Sequence, residues 1–215
     1  MAGLIEKDMR LVWCNRQTLF LFLLIAVVIE FSQSGTFILG YLPFAMIILF
    51  VNTIAYDELD KGYQFLMTLP FDAKMYVKEK YIFCFLGGAA SWVLAVLFYF
   101  GFKIVHGELI AFGDEMLMTT AFLPVIVVLL AVLLPMQIKF GVEKSRGVIA
   151  GACGAIGALA LAFAKLVGHN EGGSIFAFFS QMNKGLLFGI AAIVLILLTI
   201  LSYAVSVRIM KNKEF

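Results

Sequence analysis

Apolar positions fall into six long runs separated by short polar stretches, and that alternation organises the whole chain. The runs span Thr18 to Gln33, Thr36 to Tyr56, Tyr81 to Phe102, Leu117 to Ile138, Val148 to Val167 and Leu186 to Val207. A helix needs about 20 mostly apolar residues to cross roughly 30 Å of hydrocarbon, so each run predicts one membrane-crossing helix. The first is the shortest, and Ser32-Gln33-Ser34-Gly35 leaves little room before the second. Those two are expected to form a tight hairpin. A cleaved signal peptide would also place basic residues before an apolar core, but the leader here is long and itself patterned.

That leader, residues 2–16, reads as an amphipathic helix lying in the membrane interface. Ile5, Met9, Val12 and Trp13 share one face, Glu6, Lys7 and Arg10 the opposite one, and Asp8 intrudes beside the apolar side. The expected fold class is therefore all-α and integral to a membrane: one transmembrane domain, 1–215, of six helices preceded by an interfacial one.

Composition sharpens this picture. Hydrophobic residues make up 63% of the 215 and charged residues 14%, whereas a soluble domain of this size has to cover itself with polar side chains. Net charge is only +2, and the basic residues cluster between apolar runs instead of forming one stripe, which argues against a nucleic-acid partner. With six spans both termini share a side. On it fall Lys7, Arg10, Arg16, Lys61, Lys74, Lys78, Lys80, Lys139, Lys144, Arg146, Arg208, Lys211 and Lys213, against Lys103, Lys165 and Lys184 on the other. The positive-inside rule then makes both termini cytoplasmic, in a bacterial inner membrane.

Candidate chemistry is sparse. His106 and His169 lie far apart without HExxH spacing, and Cys14, Cys84 and Cys153 lack metal-site spacing, so no catalytic, cofactor or metal site is expected. Gly141 to Ser145 contains a Lys-Ser pair but lacks the upstream glycine of a phosphate loop; if ATP drives this protein, another chain binds it. Ionisable residues inside the runs are few: Glu30 and Lys165 sit near run ends, where each is expected to reach the headgroups. Pro43, Pro124 and Pro135 fall within runs and can kink them.

The fifth run carries a row of small residues, Gly147, Gly151, Gly154, Ala155 and Ala158, with GxxxG spacing that lets helix backbones approach closely. Its partner is either another span or a second copy. The first inner loop, 57–80, is polar at its start, yet Tyr63, Phe65, Leu66, Met67 and Leu69 precede Pro70. Such a cluster predicts a short helix that either docks on a partner or rests on lipid. The outer loop from Gly168 to Gly185 holds the aromatic cluster Ile175 to Phe179, fitting either a short re-entrant helix or a loop on the headgroups.

At the first inner loop the sequence resembles permease subunits of the ABC-2 transporter family, in the small six-span branch that includes bacitracin-type and phenol-soluble-modulin-type peptide exporters. The resemblance rests on Asp57 and Glu58, Gly62-Tyr63, Phe65 to Leu69, Leu69-Pro70 and Lys80-Tyr81. The second inner loop, 139–147, with Lys139-Phe140-Gly141 and Glu143-Lys144, is similar as well. The family prefers Trp where Tyr63 stands, and a basic residue sooner after Leu-Pro than Lys74.

The resemblance implies a type V exporter-like permease fold and a half-transporter: two copies of this chain with two copies of a separate nucleotide-binding ATPase, which holds ATP and Mg. The first inner loop would supply the coupling helix, with Glu58, Lys61, Gly62, Tyr63, Phe65, Leu66, Leu69 and Pro70 contacting the ATPase. Lys139, Phe140, Gly141, Glu143 and Lys144 would join them, and the small-residue row would pack the dimer. The expected cargo is an amphipathic or antimicrobial peptide. Two other functions suit the composition: an ion-coupled carrier or channel acting alone, which would need polar groups at the midplane, or a membrane immunity protein that sequesters peptides.

Overall fold

The computed structural model describes residues 2–32, 37–58, 72–106, 113, 115–116, 118–141 and 184–212, and all its regular elements there are helices. In chain order these are α1 (Ala2–Cys14), α2 (Arg16–Ser32), α3 (Phe37–Glu58), α4 (Ala73–Val105), α5 (Met118–Gly141) and α6 (Lys184–Lys211). Four of them, α3 to α6, are long and apolar enough to cross a membrane. The pair α1 and α2, bent by 63°, adds a fifth candidate if it is taken as one span. The fifth apolar run, with its small-residue row, lies outside the described residues, as do Lys165 and the outer aromatic cluster.

The bend falls at Asn15, whose N–H is shared between the carbonyls of Leu11 and Val12 (3.3 and 3.1 Å). Its side-chain amide donates to the Tyr56 hydroxyl on α3 at 2.9 Å, an alternative to continuing the helix that suits an asparagine at a break. The elbow is thereby fixed to the rest of the bundle. Beyond it, α2 has 17 residues, about 25 Å of helix.

Helix α4 starts at Ala73, about two turns before the apolar run that announced it. With 33 residues it is about 50 Å long, more than hydrocarbon alone demands. Its first turns, bearing Lys74 and Lys78 on the exposed side, extend past the apolar layer as a helical stalk.

Two apolar clusters hold the helices together. One joins α1 to α3, α4, α5 and α6 through Val12, Ile54, Val77, Leu134, Ile138 and Met210. The other, toward the opposite end, joins α2, α3 and α4 through Ala26, Leu39, Leu42, Met46, Ala95 and Tyr99. Helix α3 is the most deeply enclosed span, whereas α6 shows Ile193, Ile196, Leu197, Ile200 and Leu201 outward, the pattern of a helix facing an apolar solvent. Close approach of α3, α4 and α5 depends on Gly87 and Gly88: a Cβ at Gly87 would lie 2.7 Å from the Phe50 ring, and one at Gly88 would lie 3.2 Å from Leu130.

Candidate functional site

The stems of the two inner loops come together at one end of the bundle. Glu58 closes α3, Gly141 closes α5, and the Glu58 carboxylate lies so near Gly141 that any Cβ there would collide with it. Gly141 also has φ +67°, the left-handed region that favours glycine and commonly ends a helix. Beside it the Lys139 ammonium lies 5.1 Å from the centre of the Phe140 ring, within cation–π range. Of the residues expected to meet an ATPase, Glu58, Lys139, Phe140 and Gly141 therefore share a corner. Lys61, Gly62, Tyr63, Phe65, Leu66, Leu69, Pro70, Glu143 and Lys144 lie outside the described residues, as do Gly147, Gly151, Gly154, Ala155 and Ala158.

The same end contains a buried ionic cluster that inspection of the sequence missed. Lys80 on α4 and Asp8 on α1 are both completely buried and form an ion pair. Lys80 also lies 2.8 Å from Asp57 on α3, and Lys7 pairs with Asp57 from the other side, with the second Asp8 oxygen 3.4 Å away. The Tyr76 hydroxyl donates to Asp57 at 2.8 Å, and Lys80 donates to the Thr53 hydroxyl at 3.3 Å. Glu79, next to Lys80 and 1% exposed, accepts no hydrogen bond at either oxygen among the described residues. Three carboxylates thus face two ammonium groups.

This corrects the expectation that buried ionisable groups are scarce. The apolar pattern alone puts Lys80 and Asp57 at the ends of the first inner loop; helix continuation past the apolar runs turns them inward instead. A signal did exist. Leu4, Asp8 and Val12 form one helical row, as do Tyr76, Lys80 and Cys84, and an acid in one apolar row with a base in another is a complementary pair. The leader is correspondingly three-sided: Leu4, Asp8 and Val12 face the bundle, while Met9 and Trp13 are exposed. Glu30 departs from expectation too, being buried at 4% exposure rather than reaching outward.

The opposite end has a smaller polar cluster. Glu115 accepts from Lys103 and Tyr99, and the hydrogen bond from Lys103, then that from Tyr99, holds its carboxyl below the usual range. Phe31 packs edge-on against Phe102 with ring centres 4.9 Å apart, joining α2 to α4 there.

Adjoining the ionic cluster, α4 is tied to α6 by hydroxyls. Ser202 donates to the Ala131 carbonyl at 2.5 Å, so it accepts from Tyr81 at 2.6 Å, which leaves Tyr81 to accept from Ser206 at 2.8 Å. Each donor in this relay has a use, as buried polar groups in an apolar layer require. Among the described residues no group of His, Cys, Asp and Glu could hold a metal ion.

No curated protein and no solved structure gives a significant match to this chain. A family described as ABC-2 family transporter protein does match, over residues 3–211. The match takes in α1, all four long apolar helices and the stems of both inner loops, and membership implies an ATPase as the partner of such a membrane subunit. Embedded by its apolar helices and matched across nearly its full length, the chain belongs to the ABC-2 transporter family, as a membrane permease component.

Proposed function

We propose that this chain is the membrane-spanning subunit of an ATP-driven exporter in a bacterial inner membrane, moving amphipathic or antimicrobial peptides outward. Two copies work with two copies of a separate ATPase, which binds ATP and Mg and docks on the inner end of the bundle. The single observation that carries this reading is the family match over residues 3–211. The meeting of Glu58 and Gly141 at the stems of both inner loops supports it, because a partner seated there would touch both loops at once. Tyr63 and Leu66, three residues apart and therefore on one face of any helix, are its anchors in the first loop, with Phe65 beside them and Lys61 at the rim.

Among the described residues the buried charges lie toward the bundle ends. About 35 Å of helix separates Lys80 from Lys103 on α4, so the two polar clusters bracket a hydrocarbon-sized layer. An ion-coupled carrier needs a titratable group near the middle of that layer, and the described part of α4 carries none there. This favours energy supplied from outside the chain.

The test is affinity purification of the tagged chain from its native membrane. An ABC-type ATPase should accompany it, and Tyr63→Asp or Leu66→Asp should weaken that capture by at least about tenfold, as loss of an interface anchor does. Deletion of the chain should sensitise cells to amphipathic helical peptides. Purification of an active chain with no ATPase would instead favour a carrier or a sequestering immunity protein.

A further inference from the structure

A groove opens beside the elbow where α1 turns into α2. Its walls are Trp13, Arg16, Gln17, Leu19, Phe20 and Leu23, around a volume of about 420 Å³. The two halves of the groove differ in chemistry. Trp13, Arg16 and Gln17 stand at the elbow, just before the apolar run of α2 begins at Thr18, which is headgroup depth for a membrane helix. Leu19, Phe20 and Leu23 continue from there into the hydrocarbon, reaching about 10 Å beyond the elbow. Charge separates Arg16 from its neighbours. On α1, Lys7 pairs with Asp57 and Arg10 with Glu6, whereas Arg16 is exposed and has no ion pair among the described residues.

We propose that this groove binds one anionic phospholipid of the inner leaflet, with Arg16 and Gln17 holding its phosphate and Leu19, Phe20 and Leu23 seating the upper part of one acyl chain. A guanidinium presents paired N–H donors that match phosphate oxygens, and Trp13 flanks the headgroup as aromatic residues do at that depth. Because no acid balances Arg16, a lipid with net negative charge is favoured over a zwitterionic one. A helix from a second copy fits this groove less well. The exposed apolar row of α2 runs on through Leu24, Val28 and Phe31, but the groove ends at Leu23, too short for a helix about 10 Å wide laid along the row. Such a helix would also take the Arg16 charge away from the headgroups. The site requires only that the chain be embedded, and it is independent of what cargo is moved.

The test reads contact at Trp13. The purified chain, with any ATPase that accompanies it, carries Trp92→Phe so that Trp13 is its sole tryptophan, and is placed in phosphatidylcholine nanodiscs doped with a lipid brominated on its acyl chains. Brominated phosphatidylglycerol should quench Trp13 at a mole fraction at least about fivefold lower than brominated phosphatidylcholine, the advantage that one basic residue gives near a membrane surface. In Arg16→Gln that advantage should vanish. In Arg10→Gln it should persist, because Glu6 already balances Arg10 and both lie outside the groove. Should Trp92→Phe fail to accumulate, native mass spectrometry of the unaltered chain takes its place: phosphatidylglycerol should survive delipidation on the wild type and on Arg10→Gln, and be lost from Arg16→Gln. Equal quenching by the two lipids, or an advantage or retained lipid that survives Arg16→Gln, overturns the site. So does a Trp13 that neither brominated lipid quenches, the result expected if a second copy or a peptide fills the groove.

Discussion

Lys80 and Glu79 are neighbours on α4 and equally hidden, yet their circumstances are opposite. Lys80 touches Asp8, Asp57 and Thr53, whereas Glu79 accepts no hydrogen bond among the described residues. Neutralising Asp8 removes one of the two carboxylates on Lys80 and leaves Asp57 and Thr53 in place, so the cost falls below the about 3–5 kcal/mol of a fully stranded buried charge. Asp8→Asn should therefore lower the melting temperature of the purified chain measurably, while Glu79→Met, which removes a polar group that has no compensating bond, should leave it unchanged or raise it. A lower value for Glu79→Met would mean that its carboxylate has a partner outside the described residues. Glu115 obeys a different rule. Its carboxyl is held below the usual range by Lys103, so its contribution is complete above the ordinary carboxylate pKa and is lost only as pH falls through the lowered value. Thermal stability of wild type and Glu115→Gln should then differ by a constant amount from pH 6 to pH 8 and converge only in acid below the ordinary carboxylate range.

Helices were legible in the sequence because apolar runs of bilayer length have few other meanings, and their partners were less so. Gly87 and Gly88 looked like ordinary small residues, since their packing role depends on Phe50 and Leu130, which are distant in sequence. Phe50 cannot simply turn away, because its ring stands edge-on to Phe83 with centres 5.6 Å apart. Gly87→Leu should consequently separate α3 from α4 and cost about 1–3 kcal/mol by overpacking, read as a loss of detergent-resistant folded chain, whereas Gly101→Leu, where a Cβ meets nothing within 4 Å, should be silent. The leader shows the same limit. Two of its faces were read from spacing, but the third, through Asp8, becomes visible only when Lys80 arrives from α4 to neutralise it. Glu58 and Gly141 were each expected at a partner surface, and their mutual contact lay beyond any sequence pattern because it joins the ends of α3 and α5.

For the molecule as a whole, orientation follows from where the polar clusters sit. The end that holds Asp8, Asp57 and Lys80 also carries Lys7, Arg10, Arg16, Lys74, Lys78, Lys139, Arg208 and Lys211, and the opposite end has Lys103 and Lys184 among the described residues. Not all of these charges count equally. Lys80 is neutralised inside the bundle and Lys7 is largely so, yet Arg16, Lys74, Lys78 and Lys139 remain exposed near helix ends, which is where the positive-inside bias acts. The bias therefore survives removal of the paired residues, and it predicts a cytoplasmic stalk for α4. Reporters fused after Phe215 or inserted near Lys74 should read cytoplasmic, and one near Gly113 should read external. Substituting Lys80 should leave this pattern intact, because its charge is already balanced, whereas replacing Arg16, Lys74, Lys78 and Lys139 together with Gln should produce mixed orientation. An external reading at Phe215 in the wild type would contradict the six crossings expected from the apolar runs. A cytoplasmic reading at Phe215 with a cytoplasmic one at Gly113 would instead place the chain between α4 and α5 on the wrong side of the membrane. Either result would detach the Glu58 and Gly141 corner from the compartment that holds ATP, and with it the reason for a partner to dock there.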